Sequence, residues 1–237
     1  MNKLRLPFQQ YSDYPGSNDL NQQFEHFIKI AKDELGFPRL AIASIDKMPF
    51  SSPSFTSFSN MPEQWIQDYK THNLALVDPL LAHSLSSSSR LVWDESTLQQ
   101  SPVFAEFAKK HGQNAGINQS FRDVFGITHV VVLARTEPIS AKEIADKELQ
   151  ISHFMHTVQT VLEEFFSNQK AAEYNVLSDR ELEVLRWAAS GKTAVETAEI
   201  LKLSERTVNY HLNNCSRKLN VRTKTQALLK AITLNIL

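Results

Sequence analysis

Between Leu177 and Asn220 the apolar residues fall at helical spacing in three short runs, each with its own start and stop signal. Ser178 with Glu181 three residues later forms a capping-box start, and Gly191 closes that helix after Ala188 and Ala189. Thr193 with Glu196 repeats the capping pattern ahead of Ala194, Ala198 and Leu201. A tight turn at Lys202-Leu203 leads to Ser204, the cap of a third helix whose Val208, Leu212, Cys215 and Leu219 make one apolar seam. The opposite face carries Arg206, Asn209, Asn213, Asn214, Arg217 and Lys218. A short helix, a turn and an amphipathic helix with donors turned outward predict a helix-turn-helix, in which the second helix enters the DNA major groove. A last helix is expected over Thr225 to Asn235, with Leu228, Ala231 and Ile232 on one face.

The preceding part of the chain alternates differently. Asp19 to Leu35 places Leu20, Phe24, Phe27, Ile28 and Ala31 on one helix face and stops at Gly36. Leu40 to Ile45 reads as a central strand, and Ser54 to Ser59 is β-prone. Pro62 opens a helix through about Thr71; Asp78-Pro79 opens another, with Asp78 as its cap; Ser86 to Ser89 is a turn; Pro102 to His111 is a further helix. Ile117 to Arg122 and Ile127 to Arg135 predict neighbouring antiparallel strands around a turn at Asp123 to Gly126. Ser140 to about Gln169 predicts a long helix. The order α-β-β-α-α-α-β-β-α implies an α+β domain, an antiparallel sheet sandwiched by helices, followed by an all-α four-helix domain. The expected divisions are residues 1–169, a linker at 170–176, and 177–237.

Charge sharpens the division. From Asn175 onward there are ten Lys/Arg and six Asp/Glu, a net of +4, whereas residues 1–174 hold 15 and 20, a net of −5. A basic tail domain on an acidic body points to nucleic acid. The single cysteine, Cys215, suits a reducing compartment, and its seam position makes it a small buried hydrophobe. No stretch reaches 18 apolar residues and the start lacks an apolar signal segment, so a soluble, cytoplasmic protein without membrane contact is expected.

The segments LSDRELEVL, SGKT, SERTVNYHLNN and RKLNVRTKTQA resemble the DNA-binding domain of LuxR-type regulators over about the last sixty residues, with Glu181, Leu185 and Gly191 at framework positions. Trp65, Tyr69, Asp78-Pro79, Trp93 and Gly116, in that order and spacing, resemble the acyl-homoserine-lactone-binding domain of LuxR-type quorum-sensing receptors. The resemblance implies that the Trp65 indole donates to a lactone carbonyl and that the Asp78 carboxylate accepts from the ligand amide. It makes Tyr69 and Trp93 aromatic walls and has Gly116 leave room near the amide or chain. Trp65 and Tyr69, four apart, share a helix face and offer the apolar bulk and single polar atom that a buried amphipathic ligand needs.

Two departures touch the acyl half. Many family members carry a tyrosine four residues before the first tryptophan and a Ser or Thr on the last strand, both bonding the acyl carbonyl. Here those positions are Met61 and Val132. On the DNA side, Asn209 stands where family members often carry Lys or Arg and Asn213 where at least one relative places an Arg, and asparagine pairs with adenine where arginine prefers guanine. Arg206, Thr207, Arg217 and Lys218 are candidate phosphate contacts, and Tyr210 and Asn214 complete the candidate DNA-binding set.

The expected protein is therefore a ligand-responsive transcription regulator and not an enzyme, requiring no cofactor beyond a signal ligand. Its expected partners are double-stranded DNA, a small-molecule signal (an acyl-homoserine lactone or a related lipid-like molecule), a second copy of the chain and, as a candidate, RNA polymerase. Dimer contacts are expected from the long helix after Ser140 and from the final helix. Two alternatives stay open: a regulator that keeps the fold but works without ligand, and a response regulator. The second lacks its alternating parallel βα units here. P-loop, G-x-S-x-G, H-E-x-x-H and paired-cysteine motifs are absent from the sequence.

Overall fold

The apolar strands expected at the centre of the N-terminal half pair there. In the computed structural model, which describes residues 8–10, 17–46, 54–174, 177–234 and 236–237, β2 (Arg39–Asp46) lies antiparallel to both β3 (Ser54–Ser59) and β6 (Thr128–Arg135). Next to β6 come β5 (Ala115–Arg122) and then β4 (Leu91–Trp93), also antiparallel. A short strand β1 (Phe8–Gln10) adds to the β3 edge in parallel, giving the order β1-β3-β2-β6-β5-β4. The expected antiparallel sheet is thus five strands wide, and β1 and β4 are elements that local pattern did not predict.

Helices cover both faces. On one side lie α1 (Ser17–Asp33) and the first turns of α6 (Ala141–Tyr174). Phe24 meets Phe58 of β3 at 4.2 Å, Phe27 meets Phe154 of α6 edge-on at 5.8 Å, and Lys147 donates to the Leu35 carbonyl at 2.9 Å. Arg135 grips Glu143 through two hydrogen bonds of 2.7 and 2.6 Å. This face also buries a relay in which Ser44 Oγ lies 2.6 Å from His129 Nδ1 and Asp123 Oδ2 lies 3.1 Å from His129 Nε2. The three residues are 2%, 0% and 7% exposed, so the relay fastens strands together and meets no substrate.

On the other face sit α2 (Glu63–Thr71), a 3-10 turn at Leu74–Leu76, α3 (Pro79–Ser86), α4 (Glu95–Leu98) and α5 (Pro102–Lys110). The turn and α4 are additions to the expected order.

The chain forms two compact units, residues 1–123 with 127–163 and residues 124–126 with 164–237. The division falls inside α6. α6 also runs through residues 170–174 of the expected linker, because no Gly or Pro interrupts it and Lys170, Ala171, Ala172 and Glu173 all favour helix. Residues 175 and 176 lie outside the described residues.

The second unit contains α7 (Asp179–Ala189), α8 (Ala194–Leu201), α9 (Glu205–Lys218) and α10 (Lys224–Thr233). Both expected capping boxes form, and Thr223 with Gln226 makes a third. The α9 seam packs as expected: Val208, Leu212, Cys215 and Leu219 are 1%, 6%, 0% and 2% exposed. On α10 the expected apolar face divides. Ala231 is fully buried and Leu228 packs on the unit's own core, so only Ile232, with Leu229 beside it, is left as exposed apolar surface. Asn235, the expected end of that helix, lies outside the described residues. Among the described residues no helix is long and apolar enough to cross a membrane.

Candidate signal pocket and DNA-reading helix

The α2–α3 side of the sheet encloses a cavity of about 270 Å³. Its floor is made by residues of β2, β3 and β6, and Trp65, Ile66, Tyr69 and Lys70 of α2 line it together with Asp78, Leu80 and Leu81 at the start of α3. The outward side of α2 carries its own pairs, Gln64 with Asp68 and Gln67 with Glu63, each at 2.8 Å. Trp65 and Tyr69, one turn apart, stack at 4.8 Å with 19° between their planes, and the Trp65 Nε1 is buried without a hydrogen-bond partner among the described residues. An orphaned buried donor beside a cavity is what a ligand carbonyl would satisfy.

Asp78 carries two roles at once. Its Oδ1 caps α3, accepting from Leu80 N at 2.8 Å and Leu81 N at 3.1 Å, with Pro79 in the first helical turn. Its Oδ2 accepts from the Tyr69 hydroxyl at 2.8 Å, and Asp78 lines the cavity. Burial pushes the Asp78 carboxyl up to about 6, against the lowering effect of the bonds from Leu81, Tyr69 and Leu80. Burial and the neighbouring Asp78 charge hold the Tyr69 phenol well above its ordinary value. The position of Asp78 is fixed from below. Asn118 Nδ2 donates to Leu80 O at 2.8 Å and to Ser84 Oγ at 2.9 Å, and Ser120 Oγ donates to Ser84 O at 3.0 Å, so β5 holds the helix that Asp78 begins.

Trp65, Tyr69, Asp78 and Val132 therefore come together at the cavity, whereas Met61, Trp93 and Gly116 do not line it. Met61 and Trp93 are 7% and 2% exposed and pack in the core beside Tyr69 and Phe104. Gly116 was expected to leave room for the ligand, but the room is taken by Trp93. A Cβ there would stand 2.3 Å from Trp93 Cζ2 and 2.1 Å from the Leu133 carbonyl oxygen. Gly116 pairs with Trp93 across β4 and β5, so the close approach is built into the register. Replacing Gly116 by alanine should consequently lower stability by about 1–3 kcal/mol, read as a fall in the melting temperature of the ligand-free chain. An unchanged melting temperature would show that Trp93 moves aside freely.

The cavity also has lining residues that sequence reasoning missed: Ser57 and Ser59 of β3, Ala41 and Ala43 of β2, and Asn21 of α1. The only signal for the serines was the alternation of S-F-T-S-F-S, which puts Phe55, Ser57 and Ser59 on one face.

In the second unit the outward face of α9 matches expectation in part. Arg206, Asn209, Tyr210, Asn213 and Arg217 are exposed, while Thr207 and Asn214 are half-buried, with Thr207 Oγ1 2.7 Å from the capping Ser204 hydroxyl. Glu205 joins Arg206, Asn209, Tyr210 and Asn213 along one shallow depression, a stripe that its spacing of four from Asn209 would have revealed. Lys218 has a partner of its own. Its Nζ donates to Glu181 Oε2 at 2.7 Å, and Glu181 is only 4% exposed. The lysine thus ties α9 back to α7. Burial opposes the Glu181 charge, yet the bonds from Lys218 and Ser178 hold its pKa below the ordinary glutamate value.

Comparison with known proteins agrees with both halves. Residues 19–159 match the autoinducer binding domain, and residues 175–231 match the bacterial regulatory proteins of the luxR family. The chain belongs to the LuxR family of quorum-sensing transcription regulators. It is similar to the transcriptional activator protein AnoR of Acinetobacter nosocomialis, with 33% identity over 89% of this chain and 90% of that one. It is also similar to the regulatory protein SdiA of Escherichia coli, with 30% identity over 86% of each. The solved structure of Escherichia coli SdiA superposes with a TM-score of 0.76 at 27% identity over 91% of each chain. A second SdiA structure, in complex with octanoyl-rac-glycerol, gives 0.73 at 27% identity, over 90% of this chain and 88% of that one. This LuxR-family chain is accordingly a ligand-responsive transcription regulator and not an enzyme.

Proposed function

We infer that the signal is an N-acyl-homoserine lactone held head-first between Trp65 and Asp78, and that its burial stabilises a dimer that binds promoter DNA. The observation that carries this reading is the pairing of an unsatisfied buried indole N–H at Trp65 with a cavity-lining carboxylate residue, Asp78. Together they complement a carbonyl and an amide N–H on one polar head. Support for the acyl part comes from the SdiA complex, whose ligand carries an octanoyl chain. A ligand that binds the folded state at a hundred times its Kd adds about 2.7 kcal/mol. With N-octanoyl-homoserine lactone this should raise the melting temperature by roughly 5–10 °C. A response to 1-octanoylglycerol with none to the lactone would transfer the site to acylglycerols, and a response to neither would overturn the signal-pocket reading.

DNA affinity should reside in the second unit. The exposed Arg206 and Arg217 supply phosphate contacts and register, with Asn209 and Asn213 facing the bases. The dimer and any contact with RNA polymerase belong to the same proposal. Binding to duplex DNA should fall steeply with salt, at a log–log slope of about −0.9 per phosphate neutralised. Arg206→Ala should reduce that slope by about one phosphate's worth, whereas a slope unmoved by Arg206→Ala and Arg217→Ala together would remove α9 from the interface.

A further inference from the structure

The floor of the cavity is a grid of cross-strand neighbours. One row runs Ser59, Ala41, Val132 and the next runs Ser57, Ala43, Val130. The alanines leave the space above β2 open, and Val130 and Val132 make the far side apolar. Phe58 borders the cavity as well, but its ring meets Phe24 of α1, and alternation along β3 puts Ser57 on the same face as Phe55.

The two serines differ in what already occupies them. Ser59 Oγ accepts from Met61 N at 3.0 Å, a local turn bond that explains it without any ligand. Ser57 lines the cavity, and its hydroxyl has no hydrogen-bond partner among the described residues. The Tyr69 hydroxyl is committed to Asp78, and neither Met61 nor Val132 can donate. Ser57 also sits away from the head-group residues. Trp65 and Tyr69 cluster with Ala41, whereas Ala43 and Val130 of the Ser57 row cluster with Phe55 and Leu81, about 6.8 Å further along the strand, and Val132 borders both clusters. A hydroxyl there meets the chain of a bound acyl ligand and not its amide. Covered by methylene groups it is stranded, and offered a chain oxygen it is satisfied.

We propose that Ser57 is a specificity-determining residue that selects a signal with a keto or hydroxyl oxygen on its acyl chain. The assignment rests on the cavity being the signal site. Because a hydroxyl both donates and accepts, it fits either oxygen, and the discrimination lies between oxygenated and plain chains.

Calorimetric titration of the full chain with N-octanoyl-homoserine lactone and with its 3-oxo and 3-hydroxy derivatives tests this. The wild-type chain should favour at least one oxygenated probe about tenfold, the worth of one net hydrogen bond. Ser57→Ala should bring that ratio close to one without weakening the plain probe, Ser57→Thr should restore it, and Ser59→Ala should leave it unchanged. A wild type without preference, a Ser57→Ala chain that keeps it, or an equal loss for all three probes overturns the role of Ser57 alone. A wild type that binds none of the three overturns the lactone reading of the cavity and this assignment with it.

Discussion

Asp78→Asn should weaken N-acyl-homoserine lactone binding by roughly 10- to 150-fold, the worth of about 1.5–3 kcal/mol for a hydrogen bond to a charged group. The substitution is nearly isosteric. Asparagine caps a helix about as well as aspartate, so its oxygen can still accept from Leu80 N and Leu81 N while an amide replaces Oδ2. The ligand N–H then meets a donor. Stability should move the other way. The Asp78 carboxyl is raised from 3.8 to about 6, so between those values the folded state holds a proton that the unfolded chain has released. Stability from this group is therefore present below about pH 4 and is lost as pH rises towards 6. The neutral asparagine escapes that loss, and the ligand-free variant should melt no lower than wild type at pH 7. Lactone affinity of the wild type should in turn fall as pH drops below about 6, where Asp78 takes up its proton, and Asp78→Asn should flatten that dependence. A variant with unchanged affinity and an unchanged pH profile would remove Asp78 from the site.

Glu181→Ala should cost the DNA-binding unit about 3 kcal/mol, enough to show as a separate early transition in calorimetry of the full chain. Glu181 is 4% exposed and its carboxylate collects Ser178 N at 2.7 Å, Ser178 Oγ at 3.0 Å and Lys218 Nζ at 2.7 Å. Removing it opens the capping box of α7 and cuts the tie to α9 together. Glu181→Gln keeps the size and part of the bonding and should lose less. Because the Glu181 pKa is held down, its contribution is present above the ordinary glutamate range and fades as pH falls through the lowered value. Lys218→Ala should likewise act through stability and leave the salt slope of DNA binding as it was. A changed slope with unchanged melting would return Lys218 to the phosphate contacts.

The contrast between these residues describes how far the sequence could be read. The helix-turn-helix was legible because its signals are local: Ser178 with Glu181, Thr193 with Glu196, and the seam from Val208 to Leu219 all lie within a few residues of one another. The same locality made Lys218 look like an ordinary basic residue, since its partner lies 37 positions away. β4 went unseen because a three-residue strand is made by pairing Trp93 with Gly116 and not by its own pattern. Trp65, Tyr69 and Asp78 were found because one helix face and one helix cap position them. Met61, Trp93 and Gly116 follow from how β4, β5 and α5 meet, and there a tryptophan fills the space that a glycine alone suggested. Ser57 was legible as strand, but which face of β3 looks into the cavity is decided by α2 and α3, far along the chain.

The central claim is that occupancy of the sensor cavity changes DNA binding. Fluorescence anisotropy of a labelled promoter fragment at fixed salt, titrated with the full chain in the presence and absence of saturating N-octanoyl-homoserine lactone, tests it most directly. Tighter DNA binding with the lactone is expected for the wild type, with no such gain for Asp78→Asn. DNA affinity that is identical with and without a lactone shown calorimetrically to be bound would contradict it.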